Sequence, residues 1–175
     1  MAFRMLPLPQ GVEGRLFLSP LLGLLTNYQA DVQEIHKKEI TTVIRLIPDH
    51  DVAIKSPEYF NAIKSHLIPW QDINFSRYAC PTPDVCDKFF ILSDRVARIL
   101  KGGKNCLIHC LMGKVRTGTL AAAVLIKLGT PLEEAIKIVG EAGSTANTKE
   151  QISFLEFYAS QKGERNFFFR ETSSI

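Results

Sequence analysis

The sequence predicts an α/β fold, a central and mostly parallel sheet flanked by helices on both faces, with a helical C-terminal part. Three observations carry this expectation. Short apolar runs at 14–19, 41–47 and 104–110 alternate with segments of helical period. The run Thr-Thr-Val-Ile-Arg-Leu-Ile at 41–47 is nearly continuous, as a strand covered on both sides must be. After residue 115 only helical segments follow, so the last third should pack as a bundle on one face of the sheet.

Each element has its own warrant. Residues 14–19 alternate well enough for a first strand, and 28–40 place Val32, Ile35, His36 and Ile40 near helical spacing. Pro48 stops the strand at 41–47. A helix at 56–66 begins with Ser56 as N-cap and Pro57 at its first position. Residues 67–70 read as a short strand and 71–81 as a loop without sustained period. A long helix then opens at Thr82-Pro83 and stops at Gly102-Gly103. The strand at 104–110 feeds a loop and a helix that ends at Gly129. Two capping boxes follow, Thr130 with Glu133 and Thr148 with Gln151, starting helices over 130–143 and 148–161.

With 175 residues, 46% hydrophobic and 22% charged, the chain fits one domain over 1–175, its core at about 14–161 and a charged, then aromatic tail at 162–175. No stretch approaches roughly eighteen uninterrupted apolar residues, so no membrane span is expected. The opening residues lack the apolar run of a secretory leader. Cys80, Cys86, Cys106 and Cys110 do not have zinc spacing, and reduced thiols in a cytoplasmic protein are expected, with no metal and no cofactor. A net charge of +3 is too small to imply obligatory nucleic-acid binding. Lys101, Lys104, Lys114, Arg116 and Lys127 could steer an anion, although a solvated surface suffices for Lys101, Lys104 and Lys127. A monomer is expected.

The chemistry concentrates in His-Cys-Leu-Met-Gly-Lys-Val-Arg-Thr-Gly, residues 109–118. A strand that enters a helix through a short glycine-containing loop turns successive N–H groups inward, a nest for anions at a helix N-terminus. Gly113 permits close backbone approach, and Arg116 at the helix start can hold two phosphate oxygens. Cys110 at the strand end faces the same cradle, where such surroundings bring a thiol to roughly pH 3.5–7.5. A nucleophile at the bottom of a phosphate-shaped cup specifies phosphoryl transfer through a cysteinyl-phosphate. A Walker A loop is excluded because Val115 follows Gly113-Lys114. A Cys–His protease is disfavoured because adjacent His109 and Cys110 point to opposite faces; His109 is expected to anchor the loop from beneath. A buried cysteine followed by chance by a helix with arginine becomes remote when all six residue types stand in register. A rhodanese-like sulfur carrier fits the Arg-Thr-Gly entry less well.

The segment 109–118 resembles the H-C-x5-R-[S/T]-G signature of the cysteine-dependent protein tyrosine and dual-specificity phosphatases. The resemblance implies a phosphatase-type three-layer sandwich. It implies Cys110 as nucleophile, Arg116 as phosphate and transition-state clamp, and Thr117 as stabiliser of the thiolate. The amides of Leu111, Met112, Gly113, Lys114, Val115 and Arg116 would bind the phosphate. The family takes its general acid from an upstream loop, often Trp-Pro-Asp, and Trp70-Gln71-Asp72 has that frame with glutamine for proline. Asp84 is the rival, though an acidic residue in a first helical turn also serves the dipole. Asp49 and Asp51 border the entrance or form a turn. Asn147 and Gln151 resemble the family's water-orienting glutamines, while serving equally as helix-capping residues. Cys106 is expected as a small buried hydrophobe, with a regulatory disulfide to Cys110 as the other reading.

The size resembles the dual-specificity class, which implies a phosphorylated protein substrate carrying phosphotyrosine, phosphoserine or phosphothreonine. Lys114 resembles the basic loop residue of inositide-directed relatives, so an inositol phosphate or phosphoinositide is the alternative, or an RNA 5′-phosphate. A phosphate-binding module without turnover is the alternative of another class.

Overall fold

A computed structural model describes residues 3–75 and 83–161, the side chains of 83–85 excepted. Five strands form one sheet: β1 (Arg4–Leu6), β2 (Leu16–Ser19), β3 (Ile40–Arg45), β4 (Gln71–Asn74) and β5 (Asn105–His109). Their order is β1-β2-β5-β3-β4, with β1 antiparallel to β2 and every other pairing parallel. β5 therefore lies at the centre, with Ser19 of β2 and Arg45 of β3 on either side of His109. A ligand site is expected at such a place, outside the carboxyl ends of parallel strands.

The seven helices among the described residues sort onto the two faces by sequence pattern. α1 (Tyr28–Lys37), α2 (Asp49–Lys55) and α3 (Pro57–Lys64) send Tyr28, Ile35, Val52 and Tyr59 to one face, where they meet Val43 and Leu107. α4 (Pro83–Lys101), α5 (Val115–Leu128), α6 (Leu132–Glu141) and α7 (Lys149–Ser160) cover the other face around Ile44, Cys106 and Ile108. α5 is the axis of that bundle. Residues 117–126 are buried on every side, and the run Ala121-Ala122-Ala123 lets neighbouring helices and the sheet approach closely. Burying the four apolar residues Phe89, Leu92, Val96 and Leu100 of α4 alone contributes roughly 1.5–3 kcal/mol each.

Several boundaries differ from the sequence expectation. The sheet begins at Arg4, because Phe3 and Leu6 are buried and the strand pairs with β2. Residues 67–70 are not a strand; the strand is 71–74, part of the stretch expected as loop, where it pairs in parallel with residues 42–45 of β3. Residues 49–55 form α2 rather than a bare turn, with Pro48 as its N-cap. Ser56 is the N-cap of α3, but its side chain accepts no capping hydrogen bond. The capping box of Thr148 and Gln151 forms, whereas α6 has Pro131 as N-cap and no box. The reason is local: the Thr130 amide bonds to the Leu125 carbonyl and closes α5 after Gly129, which adopts φ +114°. The Thr82 cap, Cys80, the Asp84 side chain and the Phe167–Phe169 tail lie outside the described residues.

Candidate active site

Residues 110–114 leave β5 at the sheet centre and enter α5. The Leu46 amide bonds to the His109 carbonyl at 2.8 Å and the Leu21 amide to the Leu111 carbonyl at 3.0 Å, so both neighbouring strands tie the loop down. Two glycines are required by close approach. Gly113 has φ +65° and a Cβ there would strike the Ser19-Pro20 backbone; at Gly118 it would strike Thr145.

Cys110 is buried among apolar residues of α4 and α5. Burial alone would push its thiol up. The Thr117 hydroxyl, the amides of Thr117 and Lys114, and the charge of Arg116 together outweigh that and bring it below the ordinary thiol range. The Thr117 hydroxyl is buried and completes no other hydrogen bond among the described residues, so it is available to the neighbouring sulfur. Arg116, half-buried, is oriented by donation from Nη1 to the Leu46 carbonyl at 2.7 Å. Met112, Lys114 and Val115 are exposed along the rim, and Leu111 is half-buried.

His109 faces the other side of the sheet. It is fully buried, and burial pushes its pKa down to about 3, so the ring is neutral. Nδ1 lies 3.4 Å from the Cys110 carbonyl and Nε2 lies 3.3 Å from the Tyr59 hydroxyl. A carbonyl can only accept, so Nδ1 carries the proton and Nε2 accepts from Tyr59.

Asp72 belongs to the same side. It does not open a movable loop but sits inside β4, where side chains alternate: Ile73 packs with the Cys110 cluster and Asp72 turns the opposite way, toward Tyr59. Arg45 Nε and Nη2 donate to its Oδ2 at 3.3 and 3.1 Å, and the Tyr59 hydroxyl lies 3.4 Å from Oδ1. The expected acid is therefore a partly buried ion-pair partner of Arg45, beneath the loop. Asp49, rather than framing a pocket, binds Arg45 at 2.7 Å and Lys64 at 2.9 Å, which hold its carboxyl below the usual range.

Gln151 is fully buried and committed. Its amide nitrogen shares two protons among the Val115 carbonyl at 3.1 Å, Thr119 Oγ1 at 3.0 Å and the Thr145 carbonyl at 2.5 Å, and its oxygen accepts from the Thr148 amide. It braces the start of α5 rather than holding a water. Asn147 is exposed just before the Thr148 cap. Cys106 is buried and its thiol is pushed up to about 12. Four residues along a strand separate it from Cys110 by about 13 Å, beyond disulfide reach. Cys106 and Cys110 are free thiols.

Arg45, Tyr59, Arg4 and Ser144 were not expected here. A signal existed for Arg45, a charge inside an apolar strand, which demands buried partners. No helix among the described residues is long and apolar enough to cross a membrane.

No family model matches the chain, and no curated protein matches it. Solved structures do. The kinase associated phosphatase, with its catalytic-site cysteine substituted by serine, superposes with TM-score 0.73 at 18% identity, covering 91% of this chain and 94% of that one. A human tyrosine phosphatase-like serine/threonine/tyrosine-interacting protein gives 0.66 at 16%, covering 89% and 95%. PTPMT1 in complex with PI(5)P gives 0.63 at 17%, covering 86% and 94%.

Proposed function

We propose that this chain, which has the fold of the cysteine-dependent tyrosine and dual-specificity phosphatases, hydrolyses phosphomonoesters through a cysteinyl-phosphate. One observation carries the reading: the Cys110 thiol is buried, yet donors and a charge from Lys114, Arg116 and Thr117 bring it toward the thiolate. In the first step Sγ attacks phosphorus, the S–P bond forms, and the ester P–O bond breaks. The departing oxygen takes a proton. Water then attacks phosphorus, the S–P bond breaks, inorganic phosphate leaves, and the thiolate returns to the Thr117 hydroxyl. Arg116 and the loop amides stabilise the charge on the three equatorial oxygens in both steps.

The pairing of Asp72 with Arg45 inside β4 speaks against it as the donor of that proton. Asp84, in the first turn of α4, is the carboxylate the sequence offers next. Phosphorylated proteins are the proposed substrates: Met112 and Val115 form an exposed apolar rim suited to the side chain and backbone of a phosphopeptide. The mechanism requires a reduced Cys110, which favours the cytoplasm. An inositide is the second reading, supported by the exposed Lys114 on the same rim and by the likeness to a protein solved with PI(5)P.

The test is phosphate release from an aryl phosphate, phosphopeptides and inositol phosphates. Cys110→Ser should abolish it, and activity surviving in that variant would sink the mechanism. On a poor leaving group Asp84→Asn should slow turnover, and an unchanged rate would move the acid elsewhere. Loss of inositide turnover alone in Lys114→Ala would favour the second reading.

A further inference from the structure

We propose that Arg4 and Ser144 are positioning residues that lock the Gly113–Lys114 peptide with its N–H turned toward the Cys110 sulfur. Arg4 Nη2 donates to the Gly113 carbonyl at 2.6 Å, and Ser144 Oγ donates to the same oxygen at 2.7 Å. Both donors lie outside the loop, one on the edge strand β1 and the other between α6 and α7. A carbonyl has two lone pairs, and here both are filled from the side away from Cys110. In a trans peptide the C=O and the next N–H point in opposite directions, and no described peptide bond is cis. Holding the Gly113 carbonyl outward therefore aims the Lys114 N–H inward, where it bonds to Cys110.

The lock is needed where it is. Gly113 at φ +65° has no Cβ to limit rotation, so its peptide is the one in the loop free to turn over. Turned over, it would set a carbonyl oxygen against the thiolate and against a bound phosphate. Arg4 also acts by charge: burial lowers its pKa, while the neighbouring Cys110 raises it, so the cation and the thiolate support each other. The other groups around the sulfur are Arg116 and Thr117 of α5 and, in the same apolar cluster, Cys86 of α4 and Cys106 of β5. His109 touches Cys110 only through its carbonyl, from the opposite face.

The inference rests on the phosphatase reading for its effect on turnover, but the thiol can be read without it. The experiment measures alkylation of Cys110 by iodoacetamide against pH, by peptide mass spectrometry, with aryl phosphate hydrolysis and thermal midpoints alongside. In Arg4→Met the thiol should titrate higher and alkylate ~3- to 10-fold more slowly at pH 6. Ser144→Ala, a minimal change, should give ~3-fold in the same direction, and Arg4→Lys should recover part of the loss by restoring charge and a donor. Profiles that stay put in Arg4→Met and Ser144→Ala, whether or not the midpoints fall, overturn the lock even if the protein turns over substrate. Shifted profiles in a protein that hydrolyses no phosphate ester keep the lock and sink the phosphatase reading.

Discussion

His109 and Cys110 are consecutive, equally central and both buried, yet the fold drives them to opposite charge states. Below the sheet, His109 meets one hydroxyl and one carbonyl, with the Arg45 guanidinium nearby, and is held neutral with a pKa of about 3. Above it, Cys110 meets a hydroxyl, two amides and Arg116, and is drawn toward the anion. Burial disfavours charge in both places, so burial cannot be what separates them. The number and sign of the converging dipoles decide, and alternation along β5 lets one dipeptide sample both environments.

The largest test of this contrast is the acid limb of stability. Below pH 6.5 an unfolded chain protonates this histidine while the native ring refuses the proton. The stabilisation is therefore complete above pH 6.5 and is lost progressively as pH falls toward 3, the folded value. Integrated, it amounts to about 3 kcal/mol by pH 4 and about 4–5 kcal/mol by pH 3. Denaturant unfolding from pH 7.5 to 4 should reveal it, and His109→Gln should flatten that share of the slope. Equal slopes in the two proteins would mean that the ring is protonated after all.

Arg45→Met should come next, at about 3–5 kcal/mol, because it strands Asp72 without its partner. The double variant Arg45→Met with Asp72→Leu should recover most of that, since two apolar side chains replace a buried pair. Alkylation of Cys110 should hold its pH profile throughout. A shifted profile would tie the lower network to the thiol and dissolve the separation of the two faces.

What the sequence disclosed follows the same division. The upper side lies in ten consecutive residues, so the spacing from Cys110 to Arg116 was enough to expect that the thiol, Arg116 and Thr117 come together. The lower side is assembled across strands. The Trp70-Gln71-Asp72 frame pointed Asp72 toward acid chemistry, but its orientation depends on which residue of β3 lies beside it, and no spacing along the chain reports that. Gln151 sits between. Its box with Thr148 is local and legible, whereas its contacts with Val115 and Thr119 at the start of α5 depend on how the helices pack. Thr130 shows competition between neighbours: the pattern for a box was present, but its amide was already engaged in closing α5.

Thr117→Val probes the upper side alone and should have a smaller effect. Removing the hydroxyl takes away one of the donors on the sulfur, so the thiol should titrate higher and alkylate severalfold more slowly at pH 6. Because that hydroxyl has no nitrogen or oxygen partner among the described residues, the thermal midpoint should move little. A fall in stability with an unchanged thiol would assign Thr117 to packing instead.

The smallest effect expected is that of Tyr59→Phe, and it sharpens the comparison most. The aromatic ring stays, stacked on Tyr28 with centroids 5.5 Å apart, so only the hydroxyl is lost. That hydroxyl has one proton and two acceptors, His109 Nε2 at 3.3 Å and Asp72 Oδ1 at 3.4 Å. Asp72 keeps Arg45, whereas Nε2 has no other partner among these contacts, so the loss falls on the histidine. A cost of about 1 kcal/mol at pH 7 follows. The histidine, deprived of the donor that satisfied its lone pair, should also accept a proton more readily, which moves the acid limb of unfolding less steeply with pH than in the wild type. Since its sole link to Cys110 is a 3.4 Å contact with a carbonyl, the thiol should keep its alkylation profile. If the thiol shifts with the histidine, the dipeptide titrates as one unit, and the neutral ring below is part of what makes the anion above.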